Sequence, residues 1–327
     1  MARNETLVGC VGAGRMGRGI ALTFAYAGYS AALIDLKPRL PDAWDEVVAS
    51  AREEIEADLR FLLRVNQLDE AMLPGMMARI RYVCAHDAPE TLAQCAVIFE
   101  GVPEIVTAKQ ETFRLVEAHA TPECIIASTT STVDANLLSK SFDRPERFLN
   151  AHWLNPAHLV PLIEVSPSDL TAPETTAALC DLLRGIGKVP VVCKSSPGYI
   201  VPRLQGLVMN EAARMVEEGV ASAEDIDTAV RMGFGLRFSV LGLLEFIDWG
   251  GCDILHYGTA FLREHLGERY AAPAIVAEHM ESGRRGIRDG KGFYDYGDMD
   301  VSAYRESRLA DFANVLRQRG IMPLPGE

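Results

Sequence analysis

The chain has 327 residues, a formal net charge of −13 at pH 7 and a hydrophobic fraction of 48%. This is the length of a two-domain protein and the composition of a globular one. The acidic balance argues against nucleic acid and anionic membranes as partners. Since no apolar run approaches the length of a membrane-spanning helix and no signal-peptide pattern is present, we expect a cytoplasmic protein.

The pattern of cysteine and histidine disfavours both disulfides and a metal site. The seven cysteines are odd in number and scattered, and they include no C-x-x-C pair. Such cysteines are typical of buried thiols in a reducing compartment. The seven histidines include no H-x-x-x-H or H-E-x-x-H spacing, so we expect no catalytic metal.

The N-terminal segment has the pattern of a dinucleotide-binding turn. The apolar run Leu7–Val11 predicts a strand, and a helix-compatible run follows it after a glycine-rich turn. The turn has the G-x-G-x-x-G spacing and contains Gly12, Gly14, Arg15, Met16 and Gly17. The first glycine permits a tight bend, the second lets a pyrophosphate approach the backbone, and the third lets the helix pack on the strand. The helix start offers free N–H groups to the phosphates.

A second predicted strand, Ser30–Asp35, ends in an acidic residue about twenty positions after the glycines, as the fingerprint requires. A carboxylate at Asp35 hydrogen-bonds a ribose 2′-hydroxyl and repels a 2′-phosphate. The sequence therefore favours NAD over NADP as the cofactor. Lys37 and Arg39 lie just beyond and soften that preference.

Short apolar runs then alternate with longer amphipathic runs, which predicts βαβ units and a mostly parallel sheet. Further strands are predicted at Val97–Glu100, Cys124–Ser128, Phe148–His152, Leu162–Val165 and Val189–Val192. The longer helices of this part are predicted at Trp44–Val65, Thr107–His119 and Pro173–Ile186. The charged segment Asp42–Arg81 predicts a projecting helix pair, whose arginines are most simply solvated.

Strand-like patterns disappear after a turn-rich break at Lys194-Ser195-Ser196-Pro197-Gly198. Later helices are predicted at Leu204–Glu218, Leu241–Asp248, Ile254–Leu266, Pro273–Ser282 and Ala303–Arg319, and Ser222 is a predicted N-cap with Asp225 in capping-box position. We therefore predict a Rossmann-type α/β domain over residues 1–194 and an all-α domain over 195–327. The second domain is expected to cover the substrate and to form a homodimer.

Three reactive side chains follow or lie on predicted strands whose ends share one edge of the sheet, where ligands bind in open α/β folds. They are Ser131, His152 and Glu164. Hydride transfer from an alcohol needs a base for the hydroxyl proton, which histidine suits. A carboxylate on the second ring nitrogen fixes its tautomer and offsets its charge. The simpler alternatives are that His152 is structural and that Ser131 caps a helix starting near Val133.

With these residues the chain resembles the 3-hydroxyacyl-CoA dehydrogenase family from Val8 to about Tyr296. The shared blocks are the glycine turn, Pro103-Glu104 with Lys109, Ser128-Thr129-Thr130-Ser131, His152-Trp153-Leu154-Asn155-Pro156, Leu162-Ile163-Glu164-Val165, Pro197-Gly198-Tyr199-Ile200-Val201 and Gly292-Phe293-Tyr294. The resemblance implies a Rossmann-type domain, a dimerising helical domain and an enzyme of fatty acid metabolism.

The resemblance also implies roles for individual residues. A catalytic His–Glu pair corresponds to His152 and Glu164, and Ser131 matches a substrate-contacting serine. Glu104 and Lys109 match positions near the nicotinamide ribose. Asn155 matches an asparagine of the active-site loop.

Two departures leave the substrate open. Pro202 stands where the family usually has an asparagine that lines the substrate site, and proline offers no donor. No lysine lies between Lys37 and Lys109 to meet a CoA phosphate. The leading prediction is a dehydrogenase of a short 3-hydroxyacyl-CoA. The alternatives are a dehydrogenase of a free polar 3-hydroxy acid, resembling the lambda-crystallin/gulonate dehydrogenase branch or carnitine dehydrogenase, and a non-catalytic NAD-binding structural protein.

Overall fold

A computed structural model describes residues 5–323. The chain forms two compact units, residues 1–209 and 210–327. The first unit contains a mostly parallel eight-stranded sheet, and the second is built from helices. The fold class predicted from the sequence is therefore confirmed. The boundary near residue 194 stays a prediction, because the division at residue 209 falls within one long helix, Val201–Glu217.

The sheet has the strand order β3-β2-β1-β4-β5-β6-β7-β8. Its strands are β1 Leu7–Val11, β2 Ser30–Ile34, β3 Ile80–Val83, β4 Cys95–Glu100, β5 Ile125–Ser128, β6 Phe148–Trp153, β7 Leu162–Pro167 and β8 Val189–Val192. The order reverses between β1 and β4, which is the switch point where doubly wound sheets bind ligands. Only the β6–β7 pair is antiparallel among the paired strands of residues 5–323.

The helices of the first unit are α1 Arg15–Tyr26, α2 Pro41–Arg64, α3 Leu73–Ala78, α4 Ala88–Leu92, α5 Val106–His119, α6 Ala135–Ser139 and α7 Pro173–Gly185, and α8 Val201–Glu217 follows. The second unit continues with α9 Ala223–Ala229, α10 Gly235–Phe238, α11 Leu243–Gly250, α12 Cys252–Leu266, α13 Ala274–Glu281 and α14 Val301–Gln318. None of the helices within residues 5–323 is both long enough and apolar enough to cross a bilayer.

Alternating side chains of the central strands feed two hydrophobic cores, one on each face of the sheet. Val8 and Cys10 of β1 pack with α1 and α2 in one core. Leu7 and Val11 pack with Phe113 of α5 in the other. Because both faces are covered, the strands are near-continuous apolar runs, which is typical of parallel sheets.

One strand was missed by the sequence analysis. The segment predicted as a helix pair over Asp42–Arg81 contains α2 and α3, but its end forms β3, which pairs with β2. Arg79 directly precedes that strand and Arg81 lies in it, so neither arginine belongs to a solvated helix face. Four residues, of which only the first and the last are buried, give too short a pattern to predict a strand.

Two predicted caps have different outcomes. Ser222 caps α9, because its hydroxyl accepts the Asp225 amide at 3.1 Å. Ser131 does not cap a helix near Val133. The next helix, α6, starts at Ala135 and is capped by Asp134, whose carboxylate accepts the amides of Asn136 and Leu137. The Ser131 side chain is thus not needed for this helix.

The turn between β1 and α1 depends on two close backbone approaches. Gly12 has a φ of +105°, and a Cβ there would lie 2.9 Å from the Gly101 carbonyl oxygen. A Cβ at Gly17 would lie 2.0 Å from the Gly12 carbonyl oxygen. In contrast, a Cβ at Gly14 would meet no atom within 4 Å. Gly12 and Gly17 are therefore required by the backbone geometry of the turn, whereas Gly14 leaves open space in front of the turn.

This difference predicts unequal effects of two matched substitutions. Gly17→Ala forces backbone apart and should lower the free energy of unfolding by about 1–3 kcal/mol. Gly14→Ala should cost less, on the order of 0.5–1 kcal/mol, because only the N-cap preference is lost. Urea unfolding of the two variants beside the wild type measures both values. Equal losses would contradict the assignment of the close approach to Gly17.

Candidate active site

The register between β6 and β7 brings a histidine and a glutamate together. His152 lies directly opposite Glu164 in the antiparallel pair, so their side chains share a face of the sheet. The distance between His152 Nδ1 and Glu164 Oε2 is 2.7 Å. Both residues are buried, with 4% of His152 and none of Glu164 exposed. A buried carboxylate needs such a partner, since an unpaired one is costly.

The second oxygen of Glu164 is held by the start of α8. The backbone amides of Ile200 and Val201 both donate to Glu164 Oε1 at 2.8 Å. A helix N-terminus favours a negative charge there, because its first N–H groups lack intrahelical acceptors. Pro202 occupies the next helical position, where the missing N–H has no cost. The proline that departs from the family pattern therefore fits the helix start.

These contacts define the tautomer of the imidazole. Two backbone amides donate to Glu164 Oε1, which is the arrangement of an accepting carboxylate, and for such a carboxylate the 2.7 Å contact of Oε2 assigns the proton to His152 Nδ1. The Nε2 atom keeps a lone pair and has no hydrogen-bond partner among residues 5–323. The ring of Tyr199 stacks on the imidazole with centroids 5.5 Å apart and an interplanar angle of 26°. The pair thus presents one free basic nitrogen on a fixed ring.

The loop after β5 carries Ser131 and is anchored by Glu104. One oxygen of Glu104 accepts the Thr130 hydroxyl, the Ser131 amide at 2.9 Å and the Thr132 amide at 3.2 Å. Partial burial alone would raise the pKa of Glu104, but the hydrogen bond from Thr130 and the Lys109 ammonium outweigh it and hold that pKa below its usual value. Ser131 itself is exposed, so its hydroxyl is accessible to a ligand.

Lys109 belongs to a buried network that the sequence analysis missed in part. Its ammonium lies 2.9 Å from Glu100 Oε1 and 3.3 Å from Glu104 Oε2, and 1% of the residue is exposed. Glu100 also accepts the Ser128 hydroxyl at 2.6 Å and the Val102 amide at 2.8 Å. Lys109 therefore pairs with two carboxylates, that of Glu100 at the end of β4 and that of Glu104 in the loop that follows β4. The sequence signal that could have indicated this network is an acidic residue at the end of an apolar strand, as at Glu100.

A cavity of about 790 Å³ lies at the switch point of the sheet. Its lining includes Gly12, Ala13, Gly14, Asp35, Lys37, Arg39, Gly101, Val102 and Pro103. The glycine turn, the open space at Gly14 and the acid at the end of β2 are the features that a dinucleotide requires. The residues present therefore fit NAD: the first turn of α1 would receive the pyrophosphate, and Asp35 a ribose.

Asp35 already has protein partners. Its carboxylate accepts the Lys37 amide at 3.1 Å and pairs with Arg39 Nε at 2.5 Å. Only 5% of Asp35 is exposed, so the pair holds the carboxylate in one orientation at the cavity wall. Arg39 also lines this cavity, so its guanidinium lies beside the carboxylate that would meet a ribose. The softened preference for NAD stays a prediction.

Arg15, Met16 and Asn155 were also predicted as site residues, and they lie apart from the His152–Glu164 pair. Asn155 is exposed and lines a second cavity, of about 450 Å³, together with Arg15 and His158. The part of the chain described here contains no hydrogen bond between Asn155 and His152. The Met16 side chain packs against the hydrophobic core, which leaves its backbone amide for a cofactor.

The loop that carries Asn155 is tied down by a lysine absent from the sequence analysis. Lys188 Nζ donates to the carbonyl oxygens of Ala157 and Val160 at 2.6 and 2.8 Å. Burial lowers the pKa of Lys188 to about 8. Its nitrogen also lies 5.6 Å from the centroid of the Trp153 ring, and Trp153 follows His152 on β6. Lys188 therefore contacts both the loop that carries Asn155 and β6, the strand that carries His152.

The sequence matches one family over most of its length. The NAD-binding domain of 3-hydroxyacyl-CoA dehydrogenases matches residues 7–196, and the C-terminal domain of the same family matches residues 198–296.

Relatives and solved structures agree with this match. The 5-formyl-3-hydroxy-2-methylpyridine 4-carboxylate 5-dehydrogenase of Mesorhizobium japonicum is 30% identical over 97% of this chain and 98% of its own. The 3-hydroxybutyryl-CoA dehydrogenase of Bradyrhizobium diazoefficiens is 30% identical over 88% of this chain and 94% of its own. The structure of the Archaeoglobus fulgidus 3-hydroxyacyl-CoA dehydrogenase has a TM-score of 0.76 at 30% identity, covering 97% of this chain and 99% of that one.

The Asp35–Arg39 pair generates a prediction on cofactor choice. Asp35→Ala should weaken NADH binding about 10-fold, the value of a hydrogen bond to a charged group, and should improve NADPH binding relative to NADH. The double variant Asp35→Ala/Arg39→Ala should lose the relative gain for NADPH, because the guanidinium that meets the 2′-phosphate is gone. Fluorescence titration with both nucleotides measures these affinities. An unaltered NADH/NADPH ratio in Asp35→Ala would exclude Asp35 as the ribose partner.

Proposed function

Since the chain belongs to the 3-hydroxyacyl-CoA dehydrogenase family and is an NAD-dependent oxidoreductase, we propose that it interconverts a short 3-hydroxyacyl-CoA and its 3-keto form. The observation that carries this proposal is the buried His152–Glu164 pair, with Nδ1 and Oε2 only 2.7 Å apart. Desolvating a carboxylate and an imidazole has a cost that a structural protein avoids with apolar side chains. The pair therefore argues against a non-catalytic NAD-binding protein.

His152 acts as the general base in oxidation and the general acid in reduction. Its free Nε2 takes the proton of the substrate hydroxyl and returns it to the keto oxygen in the reverse direction. Glu164 stabilises the imidazolium that forms and keeps Nδ1 protonated throughout, as in the orienting half of a catalytic triad. The bound NAD supplies the hydride acceptor.

Ser131 is the proposed hydrogen-bonding partner of the substrate oxygen. Its exposed hydroxyl follows β5, the strand next to β6, and Glu104 holds its backbone amide. Oxygen contacts of this kind matter most as charge develops on the carbonyl oxygen in reduction. Asn155 is proposed to contact the substrate from the loop after β6, and Glu104 and Lys109 to shape the nicotinamide end of the cofactor site.

A second candidate substrate is a free, polar hydroxy acid. Pro202 supplies no side-chain donor, and no lysine lies between Lys37 and Lys109. The Mesorhizobium japonicum relative, whose name describes a pyridine carboxylate as substrate, matches almost the full length of both chains. These observations favour a substrate without a CoA tail.

A substrate panel decides between the two candidates. Acetoacetyl-CoA with NADH is compared with free acids and NAD: gulonate, carnitine and a formyl pyridine carboxylate of the kind that the Mesorhizobium japonicum relative is named for, each followed by absorbance of NADH. Turnover of acetoacetyl-CoA supports the thioester. Turnover of a free acid alone assigns the second candidate, and NADH binding without any turnover supports the structural alternative.

Removal of the imidazole tests the mechanism. With the best substrate of the panel, His152→Gln should lower kcat on the order of 10²–10⁴-fold, the usual contribution of a general base. NADH affinity should stay within about two-fold, because His152 does not line the cavity proposed for the nucleotide. His86→Gln, at an exposed site, is the matched control. A His152→Gln enzyme with normal kcat would end the role assigned to the pair.

The second unit is proposed to form a homodimer. Ile254, Tyr257 and Phe261 lie along one face of α12 at spacings of three and four residues, and each is more than 60% exposed. A contiguous exposed apolar face of this kind marks an interaction site, and a second copy of the chain is the proposed occupant. Light scattering should give twice the 35.8 kDa chain mass, and Tyr257→Glu should reduce it. A monomer at micromolar concentration would contradict the dimer.

A further inference from the structure

We propose that Tyr199 is a positioning residue that holds the His152 ring and the Ser131 loop in one fixed arrangement. The inference rests on the proposed roles of His152 and Ser131 and adds the residue that joins them. Tyr199 is 4% exposed, so almost its entire side chain is enclosed by the site.

The ring of Tyr199 restrains the face of the imidazole. Glu164 holds the His152 ring at its edge through Nδ1, and this single hydrogen bond does not by itself fix the plane of the ring. The Tyr199 ring lies nearly parallel to the imidazole, at 26°, with a centroid distance of 5.5 Å. An edge contact and a face contact together define the orientation of Nε2, which is what a general base needs.

The same short turn supplies both restraints. Gly198 and Tyr199 have φ values of +73° and +44°, and the amides of Ile200 and Val201 then point at Glu164. A left-handed conformation is uncommon for a residue with a bulky side chain and persists only where its surroundings over-determine it. Here it places the aromatic ring on the imidazole while the next two amides hold the carboxylate.

The hydroxyl of Tyr199 reaches the serine loop. It accepts from Asn150 Nδ2 at 2.8 Å and donates toward the Thr130 carbonyl oxygen at 3.1 Å, with the Val133 oxygen at 3.3 Å. Thr130 directly precedes Ser131. Burial raises the pKa of Tyr199, which keeps the hydroxyl protonated and able to donate. A phenylalanine would stack equally well, so the hydroxyl serves the loop and the ring serves the histidine.

Two variants separate these functions. Tyr199→Phe keeps the stacked ring and loses the loop contact. It should raise KM for the carbonyl substrate about 5- to 10-fold, the value of one hydrogen bond, and leave kcat within about three-fold. Tyr199→Leu loses both contacts and should also lower kcat on the order of 10²-fold. NADH affinity should change in neither variant.

Tyr82→Phe is the matched control, because the Tyr82 hydroxyl is buried and has no hydrogen-bond partner among residues 5–323. It should leave KM, kcat and NADH affinity unchanged. If Tyr199→Phe and Tyr199→Leu both match this control, the inference is overturned. A loss of thermal stability with normal KM and kcat also overturns it, since Tyr199 would then be merely structural.

Two further measurements need no turnover and so separate this inference from the proposed function. Hydrogen exchange of the peptide containing residues 129–134 should be faster in Tyr199→Phe than in the wild type and in Tyr82→Phe. The Nδ1–H proton resonance of His152, assigned by its loss in His152→Gln, should persist in Tyr199→Phe and broaden in Tyr199→Leu. If Tyr199→Leu does not fold, the hydrogen-exchange result for Tyr199→Phe decides whether Tyr199 holds the Ser131 loop. Unchanged exchange with unchanged KM refutes the inference, whereas a wild type inactive on every substrate refutes only the proposed function.

Discussion

The chemistry proposed for this chain depends on the antiparallel register between β6 and β7. That register puts His152 opposite Glu164, and a shift of one residue would turn the two side chains to opposite faces. All other paired strands of residues 5–323 are parallel. A single reversed strand pair within a nucleotide-binding sheet therefore creates a close cross-strand contact between a base and an acid.

The surrounding structure maintains this contact from three directions. The start of α8 donates two amides to Glu164, the Tyr199 ring covers the imidazole, and Lys188 holds the loop that follows β6. The two amides and the lysine satisfy buried charged or polar groups that would otherwise be costly, and the Tyr199 ring packs on the face of the imidazole. The same contacts orient the atoms proposed for catalysis, so burial and the proposed chemistry rely on one set of contacts.

Carboxylates on or shortly after the strands recur with different partners. Glu164 serves the histidine, Glu100 and Glu104 share Lys109 and anchor the serine loop, and Asp35 pairs with Arg39 at the nucleotide cavity. The fully buried carboxylates have protein donors on both oxygens. Asp35 is also largely buried and has a protein donor on each oxygen, but it lines the cavity proposed for the nucleotide. Its position in the fold, rather than its burial, therefore makes it the acid proposed for recognition.

The amino-acid sequence by itself determined the fold class, the glycine turn and the residues of the His–Glu pair, because these depend on local spacing and on buried acids within apolar strands. It did not reveal β3, whose four residues are too short a pattern, or the roles of Glu100, Lys188 and Tyr199. Those roles arise from contacts between residues far apart in the chain, such as Tyr199 with Thr130. Only the tertiary structure decided them, since a side chain's partner depends on strand order and register, which no single segment encodes.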